Sequence, residues 1–403
     1  MLGLVDALTE RPGFVQIMKL FAFPAAVGLI FSLATVTPAR NDKKDGRSPD
    51  EKVERLERSM PVDPSATITV CVMSGAIEVR GWDKPELRVQ STGAAVLDFR
   101  RIDRSKPKEK EKEKQPEPPA TRVDVMLMDR SDKTGAKGDC QAIADVTVDV
   151  PRGATIQVQT RDGDIHVANV AAVYAGSQNG DIDIERASKL VEAGGVGGSI
   201  SLRDSSGRIN LSSAGGTVDA TNIKFASADD TFEVATVSGD ILLEQVGNST
   251  VMAKTVNGSV TLVGALARSG KYGFSTLSGD VILQLPHDAS FQIDAKLSEN
   301  HNIVSDFPLK YSELAPQGAP GTPSPRTAPA PQPMPRSPSA KGQPAPSKPP
   351  TPGAKGAPPT SIVIKPSVVV VPYTLRRITA ICGSGDASIS VASFSGNVRI
   401  QKL

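Results

Sequence analysis

Aromatic side chains are scarce in this chain. They make up 4% of its 403 residues, and there is one tryptophan. That little aromatic volume argues against a helical enzyme with a large aromatic core. Histidine is rarer still. His166, His287 and His301 are scattered and lack metal-ligand spacing. The three cysteines, Cys71, Cys140 and Cys382, form no Cys-x-x-Cys pair, which argues against zinc or a thioredoxin-type centre. In an exported protein any two of the three can join. Charge of one sign is also missing. The net charge is +2, so nothing in bulk calls for a nucleic-acid partner. No Gly-x-Ser-x-Gly, P-loop or Cys/His nucleophile pattern occurs. No cofactor is expected.

Long apolar runs are absent too, with one exception. Met18 to Ala39, "MKLFAFPAAVGLIFSLATVTPA", has one lysine, an uncharged apolar stretch and small residues at its end. That is the layout of a secretory signal peptide. Asp6 and Glu10 are unusual ahead of such a segment and point to Met18 as the start. Arg40, Lys43, Lys44 and Arg47 follow the run and oppose translocation of what lies beyond. Residues 1–39 are therefore expected to be a signal peptide, with an N-terminal membrane anchor through residues 20–39 as the alternative.

Glycine and proline are plentiful, at 35 and 32. They mark out the organisation. Residues 40–63 read as a charged linker. Residues 64–150 hold strand-like runs such as "ATITVCV" and "AIEVRGW" and are expected to form an N-terminal β cap. Within it, residues 103–120 include "KPKEKEKEKQPEPP", whose alternating charges and prolines cannot bury a core, so a disordered insertion is expected. Residues 312–360 are rich in proline, alanine and serine and are expected to be a second disordered insertion. Residues 361–403 resume the strand pattern.

From residue 151 to 311 the chain repeats itself. Each unit is a short alternating strand, a polar-glycine corner, and a second alternating strand. "TVSGDILLEQV" from Thr236 is one copy, and "TVNGSVTLV" and "TLSGDVILQL" are two more. Counted from the glycine, the second and fourth following residues are apolar: Ile241 and Leu243 after Gly239, Val260 and Leu262 after Gly258. The third, fifth and seventh preceding residues share one face: Thr236, Val234 and Phe232 before Gly239. The corners are Gly163, Gly180, Gly198, Gly216, Gly239, Gly258, Gly279 and Gly396. The first seven are spaced by 17, 18, 18, 23, 19 and 21 residues. A near-constant period predicts a solenoid in which each repeat is one rung. Six or seven rungs would form a rod of roughly 30 Å at ~4.8 Å per rung. Right-handed coiling is expected for parallel crossovers. The fold class is thus an all-β, single-stranded right-handed β-solenoid with strand caps and two disordered insertions. At the corners glycine is expected to supply positive φ, Gly239 and Gly258 included.

Two stretches resemble a known family. "GAIEVRGWDKPELRV", from Gly75 to Val89, resembles its entry segment, with Gly81, Trp82 and Asp83. "VTVDVPRGATIQVQTRDGDIHV" resembles its passage into the first Gly-Asp rung, and "SFSGNVRI" its closing rung. The family is the bacterial adhesin-type domain of unknown function called the toast-rack domain, which is similar to right-handed β-helix proteins. The resemblance covers about residues 64–100, 120–310 and 370–403. It carries no active site. It implies a cell-envelope protein, some relatives being linked to envelope-stress sensing.

Asp164, Asp181, Asp240 and Asp280 follow corner glycines and could line one edge of the rod. Carbohydrate cleavage needs two facing carboxylates at a defined separation. Ser199, Thr217 and Ser259 take the equivalent place in other rungs and interrupt the row. The calcium β-roll pattern is also absent. The expected function is therefore an exported, non-enzymatic β-solenoid of the periplasm, cell surface or membrane-anchored envelope. It would serve as an adhesin-like, scaffold or interaction module whose partner is an envelope protein or a glycan. The alternatives are a carbohydrate-processing β-helix lyase or hydrolase, or a membrane-anchored envelope-stress sensor ectodomain.

Overall fold

The computed structural model describes residues 55–94, 96–103, 118–128, 140–298, 300–312 and 375–403. The expected signal or anchor (1–39), most of the linker (40–63), and the bodies of both low-complexity insertions lie outside the described residues. Among the described residues every regular element is a strand, and no helix is long and apolar enough to cross a membrane.

The entry strands are β1 (Arg55–Ser74), β2 (Ile77–Trp82), β3 (Glu86–Thr92), β4 (Val96–Arg101), β5 (Ala120–Met128) and β6 (Asp145–Pro151). Next come seven two-strand rungs. They are β7 (Thr155–Asp162) with β8 (Ile165–Ala168), β9 (Ala172–Asn179) with β10 (Ile182–Glu185), and β11 (Leu190–Gly195) with β12 (Ile200–Arg203). Then follow β13 (Arg208–Gly215) with β14 (Val218–Ile223), β15 (Thr231–Ser238) with β16 (Ile241–Val246), β17 (Thr250–Asn257) with β18 (Val260–Val263), and β19 (Lys271–Ser278) with β20 (Val281–Leu285). The closing strands are β21 (Phe291–Ser298), β22 (Ile303–Ser305), β23 (Lys310–Ser312), β24 (Leu375–Cys382), β25 (Ala387–Ser395) and β26 (Val398–Lys402).

Odd-numbered rung strands pair in parallel to form one wall; even-numbered ones form the other. Alternation at period two sends every second side chain of each wall into a shared core. Volumes compensate between rungs. Ala253 stands in register with Phe274, and the small side chain leaves room for the fully buried ring. At the far end Phe291 and Phe307 meet edge to face, with centroids 5.7 Å apart, and close the core.

The rungs do not all follow chain order. The β1/β2 rung lies between β5/β6 and β7/β8. The β25/β26 rung lies between β19/β20 and β21/β22. Residues 64–150 and 361–403 were expected to finish the two ends. They do so through β3 to β6 at one end and β24 at the other, and each also supplies an interleaved inner rung, β1/β2 or β25/β26, with β5/β6 and β21/β22 lying outside these. The physical reason is that a rung is held by its neighbours on both sides, and the stack accepts any strand pair carrying the same inward apolar pattern.

The linker expectation is also corrected in part. Residues 55–61 form the first third of β1, antiparallel to β3. Leu56 and Met60 pack against the core, which a solvated linker would not allow.

Antiparallel strands close three of the four wall ends. Each is fastened by an arginine on the cap and an aspartate on the last parallel strand: Arg88 of β3 on Asp149 (2.6 Å), Arg100 of β4 on Asp124 (2.6 Å), and Arg377 of β24 on Asp294 (2.5 Å). Capping strands with fixed charges blunt an edge that would otherwise pair with another chain. The fourth end carries the three-residue β22.

Candidate functional site

The corner glycines form one column. A Cβ on each would meet the carbonyl oxygen of the glycine one rung back. Gly163 would meet Gly75 at 2.1 Å, Gly180 would meet Gly163 at 2.1 Å, and Gly198 would meet Gly180 at 2.0 Å. Gly216, Gly239, Gly258 and Gly279 continue the series at 2.1–2.3 Å, and Gly396 ends it, 1.9 Å from Gly279. Gly75 belongs to this column as well and was not singled out from the sequence. The expectation of positive φ is met at Gly163, Gly180, Gly216, Gly258 and Gly279 and needs correcting at the other three corners. Gly258 has it, at +154°, but Gly198, Gly239 and Gly396 lie outside the left-handed range. What the whole column shares is close approach of backbone to backbone, which leaves no room for a Cβ.

The aspartates after these glycines brace the column. Asp164 Oδ1 accepts the Asp181 N–H (2.9 Å), Asp181 Oδ1 the Ser199 N–H (2.8 Å), and Asp240 Oδ1 the Ser259 N–H (2.7 Å). Asp280 Oδ1 accepts the Asn397 N–H (2.8 Å), and Asp145 Oδ1 accepts the Ala76 N–H (2.9 Å). The last two bonds cross the joints where the interleaved rungs enter. Each carboxylate thus spends one oxygen on a backbone donor of the next rung, a charge-assisted contact. Behind the corner, inward hydroxyls do similar work. Thr255 Oγ1 donates to Gly239 O (3.1 Å), and Thr276 Oγ1 to Gly258 O (3.0 Å). Among the described residues no three acidic, histidine or cysteine side chains cluster as a metal site.

The opposite corner was not foreseen. Asn169, Arg186, Asp204, Asn222 and Gln245 sit there with φ between 51° and 61°. Each is the sixth residue after a corner glycine, so a fixed offset was present in the sequence. Without glycine it drew no notice. Asparagine and aspartate tolerate this conformation through local hydrogen bonds. Neighbouring rungs also tie four of these side chains in pairs, with Arg186 Nε donating to Asn169 Oδ1 at 2.7 Å and Asn222 Nδ2 donating to Asp204 Oδ1.

A charged group on the even-strand wall was also missed. Arg203 pairs with Asp183 (3.3 Å) and Glu185 (3.7 Å), and Asp219 stands beside it. Burial pushes the Asp219 carboxyl up, the Glu244 charge adds to this, and Arg203 opposes both. The signal was outward acidic and basic residues at matching offsets from successive glycines.

Cys71 and Cys140 form a disulfide, while Cys382 is free and buried. Burial raises the Cys382 thiol, with Lys402 pulling the other way.

A toastrack DUF4097 family model matches residues 103–307, half of the chain. The chain belongs to the toastrack DUF4097 family. The matched toastrack segment runs from the end of β4 to Phe307, leaving the interleaved β1/β2 and β25/β26 rungs outside it. No curated protein matches the chain. Among solved structures, a "putative cell adhesion protein" from Clostridium sporogenes is similar over 87% of this chain and 100% of its own. Identity is 8% and the TM-score 0.19, a value at which no common superposition is established.

Proposed function

We propose that this toastrack chain is an exported, non-enzymatic β-solenoid of the cell envelope, an adhesin-like or scaffold module whose outer walls meet an envelope protein or a glycan. The observation that carries this reading is the use of the corner carboxylates. Asp164, Asp181, Asp240 and Asp280 hold the next rung through backbone N–H groups. A residue engaged as a strut is poorly placed to shuttle protons. The Cys71–Cys140 bond supports export, because such bonds persist in oxidising compartments. The signal-like segment at 18–39 supports it from the sequence, as cleaved signal or as anchor.

The test is an assay of lyase and hydrolase turnover on envelope and plant glycans. Alongside the parent chain it uses Asp240→Asn, Asp280→Asn and Asp219→Asn. No turnover by the parent chain is expected. Turnover that any of these variants abolishes, with stability unchanged, would overturn the reading in favour of a carbohydrate-processing enzyme.

A further inference from the structure

Three residues before the corner glycines runs an inward row of hydroxyl side chains, from Thr160 before Gly163 to Ser393 before Gly396. One rung breaks the row. Before Gly198 the position holds Gly195, in register with Ser177 on one side and Ser213 on the other. The hydroxyls elsewhere share a task. Ser177 Oγ donates to Gly163 O (3.3 Å), and Thr255 and Thr276 likewise donate to the corner carbonyl one rung back. Ser393 Oγ lies within reach of two carbonyls, Gly279 O one rung back (3.4 Å) and Gly396 O of its own rung (3.2 Å). The same offsets in the rung of Gly195 give Gly180 O and Gly198 O. No side chain reaches out to them from Gly195.

The backbone does not require glycine there, because Gly195 lies outside the left-handed range. Nor does close packing. A Cβ on Gly195 would stand 3.5 Å from Gly198 O and 3.8 Å from Ile200 Cγ1, which is ordinary contact. The adjoining hydroxyl is the second observation. Ser213 is 5% exposed, and its Oγ has no hydrogen-bond partner. Thr160 and Thr236 also lack one, but both stand beside a rung that carries a side chain at this position. Ser213 stands beside Gly195.

We propose that the Gly195 position is the binding site of one internal water molecule, which takes the place of the missing hydroxyl. The water donates one hydrogen to Gly180 O and the other to Gly198 O, and accepts the Ser213 hydroxyl. Three partners are the usual number for a buried water, and a space lined by polar atoms holds water where an apolar one stays dry. A buried hydroxyl without a partner is costly, so the water repays Ser213 as well as the two carbonyls. The site is independent of what the outer walls meet.

The test counts long-lived internal waters by oxygen-17 magnetic relaxation dispersion, on the full chain in neutral detergent. Gly195→Ser puts a hydroxyl of the chain where the water sits and should lower the count by one. Its urea midpoint should also lie above that of Gly195→Ala. Both substitutions restrict the unfolded chain, but serine alone offers the carbonyls a donor. Equal water counts in the parent and Gly195→Ser, or a Gly195→Ala midpoint at or above that of Gly195→Ser, would overturn the proposal. If the substituted chains do not fold, a high-resolution crystal structure of the parent decides. A water oxygen within about 3.2 Å of both Gly180 O and Gly198 O supports the site, and a dry interior at Gly195 overturns it.

Discussion

At the scale of single residues, the two corners of the rung solve the same problem by different means. One is closed by glycine because backbone stacks on backbone. A methyl at Gly258 would stand 2.1 Å from the Gly239 carbonyl, on a residue whose φ is already positive. Gly258→Ala should therefore lower stability by about 3 kcal/mol, read from the urea midpoint at constant slope. A midpoint like the parent's would show that the column has slack. The other corner uses αL residues with side chains, and the longer side chain of Gln245 is less suited than Asn or Asp to ease that conformation by a local hydrogen bond. Gln245→Gly removes the Cβ strain but frees the unfolded chain. The balance should stabilise by about 0.5 kcal/mol, measured by the same titration. Loss of stability instead would mean that the Gln245 side chain holds the corner.

At the scale of elements, what could be read in the sequence and what could not divide cleanly. Alternation around each glycine placed strands on both sides of Gly239 or Gly396, because inward apolar residues must recur every second position. The same pattern could not say where in the stack a rung sits. "SFSGNVRI" identifies β25 and β26 as a rung, yet their neighbours are β19/β20 and β21/β22, fixed only by packing across distant sequence. The αL corner was hidden because its residues share a conformation and not a type. The disulfide partners were hidden because Cys71 and Cys140 stand 69 residues apart. The antiparallel caps are laddered to distant strands and carry arginine–aspartate pairs, which leave little trace in a repeat pattern. Arg377 holds the Asp294 carboxyl below the usual carboxylate range. A depressed folded pKa gives stability that is present above the ordinary Asp value of about 3.9 and lost as pH falls through the folded one. The urea midpoint should thus begin to drop as pH falls below about 4 and keep falling towards the folded value, and less steeply in Arg377→Met. An unchanged slope in that variant would show that the pair does not fasten β24.

At the scale of the whole molecule, the chain is a stack that its own ends lock. The first and last rungs in sequence are inner rungs in space, and the carboxylates of Asp145 and Asp280 bridge the two joints. The repeated Gly-Asp pairs that resemble a site in the sequence are, in the structure, the ties between rungs. One measurement bears on this most directly. It compares the equilibrium unfolding of two fourfold variants, in which Asp164, Asp181, Asp240 and Asp280 are all replaced by alanine or all by asparagine. Losing four carboxylate-to-backbone bonds should cost the alanine chain about 4 kcal/mol, while the asparagine chain, which keeps an acceptor oxygen at each corner, should retain most of its stability. An alanine chain as stable as the parent would contradict the account.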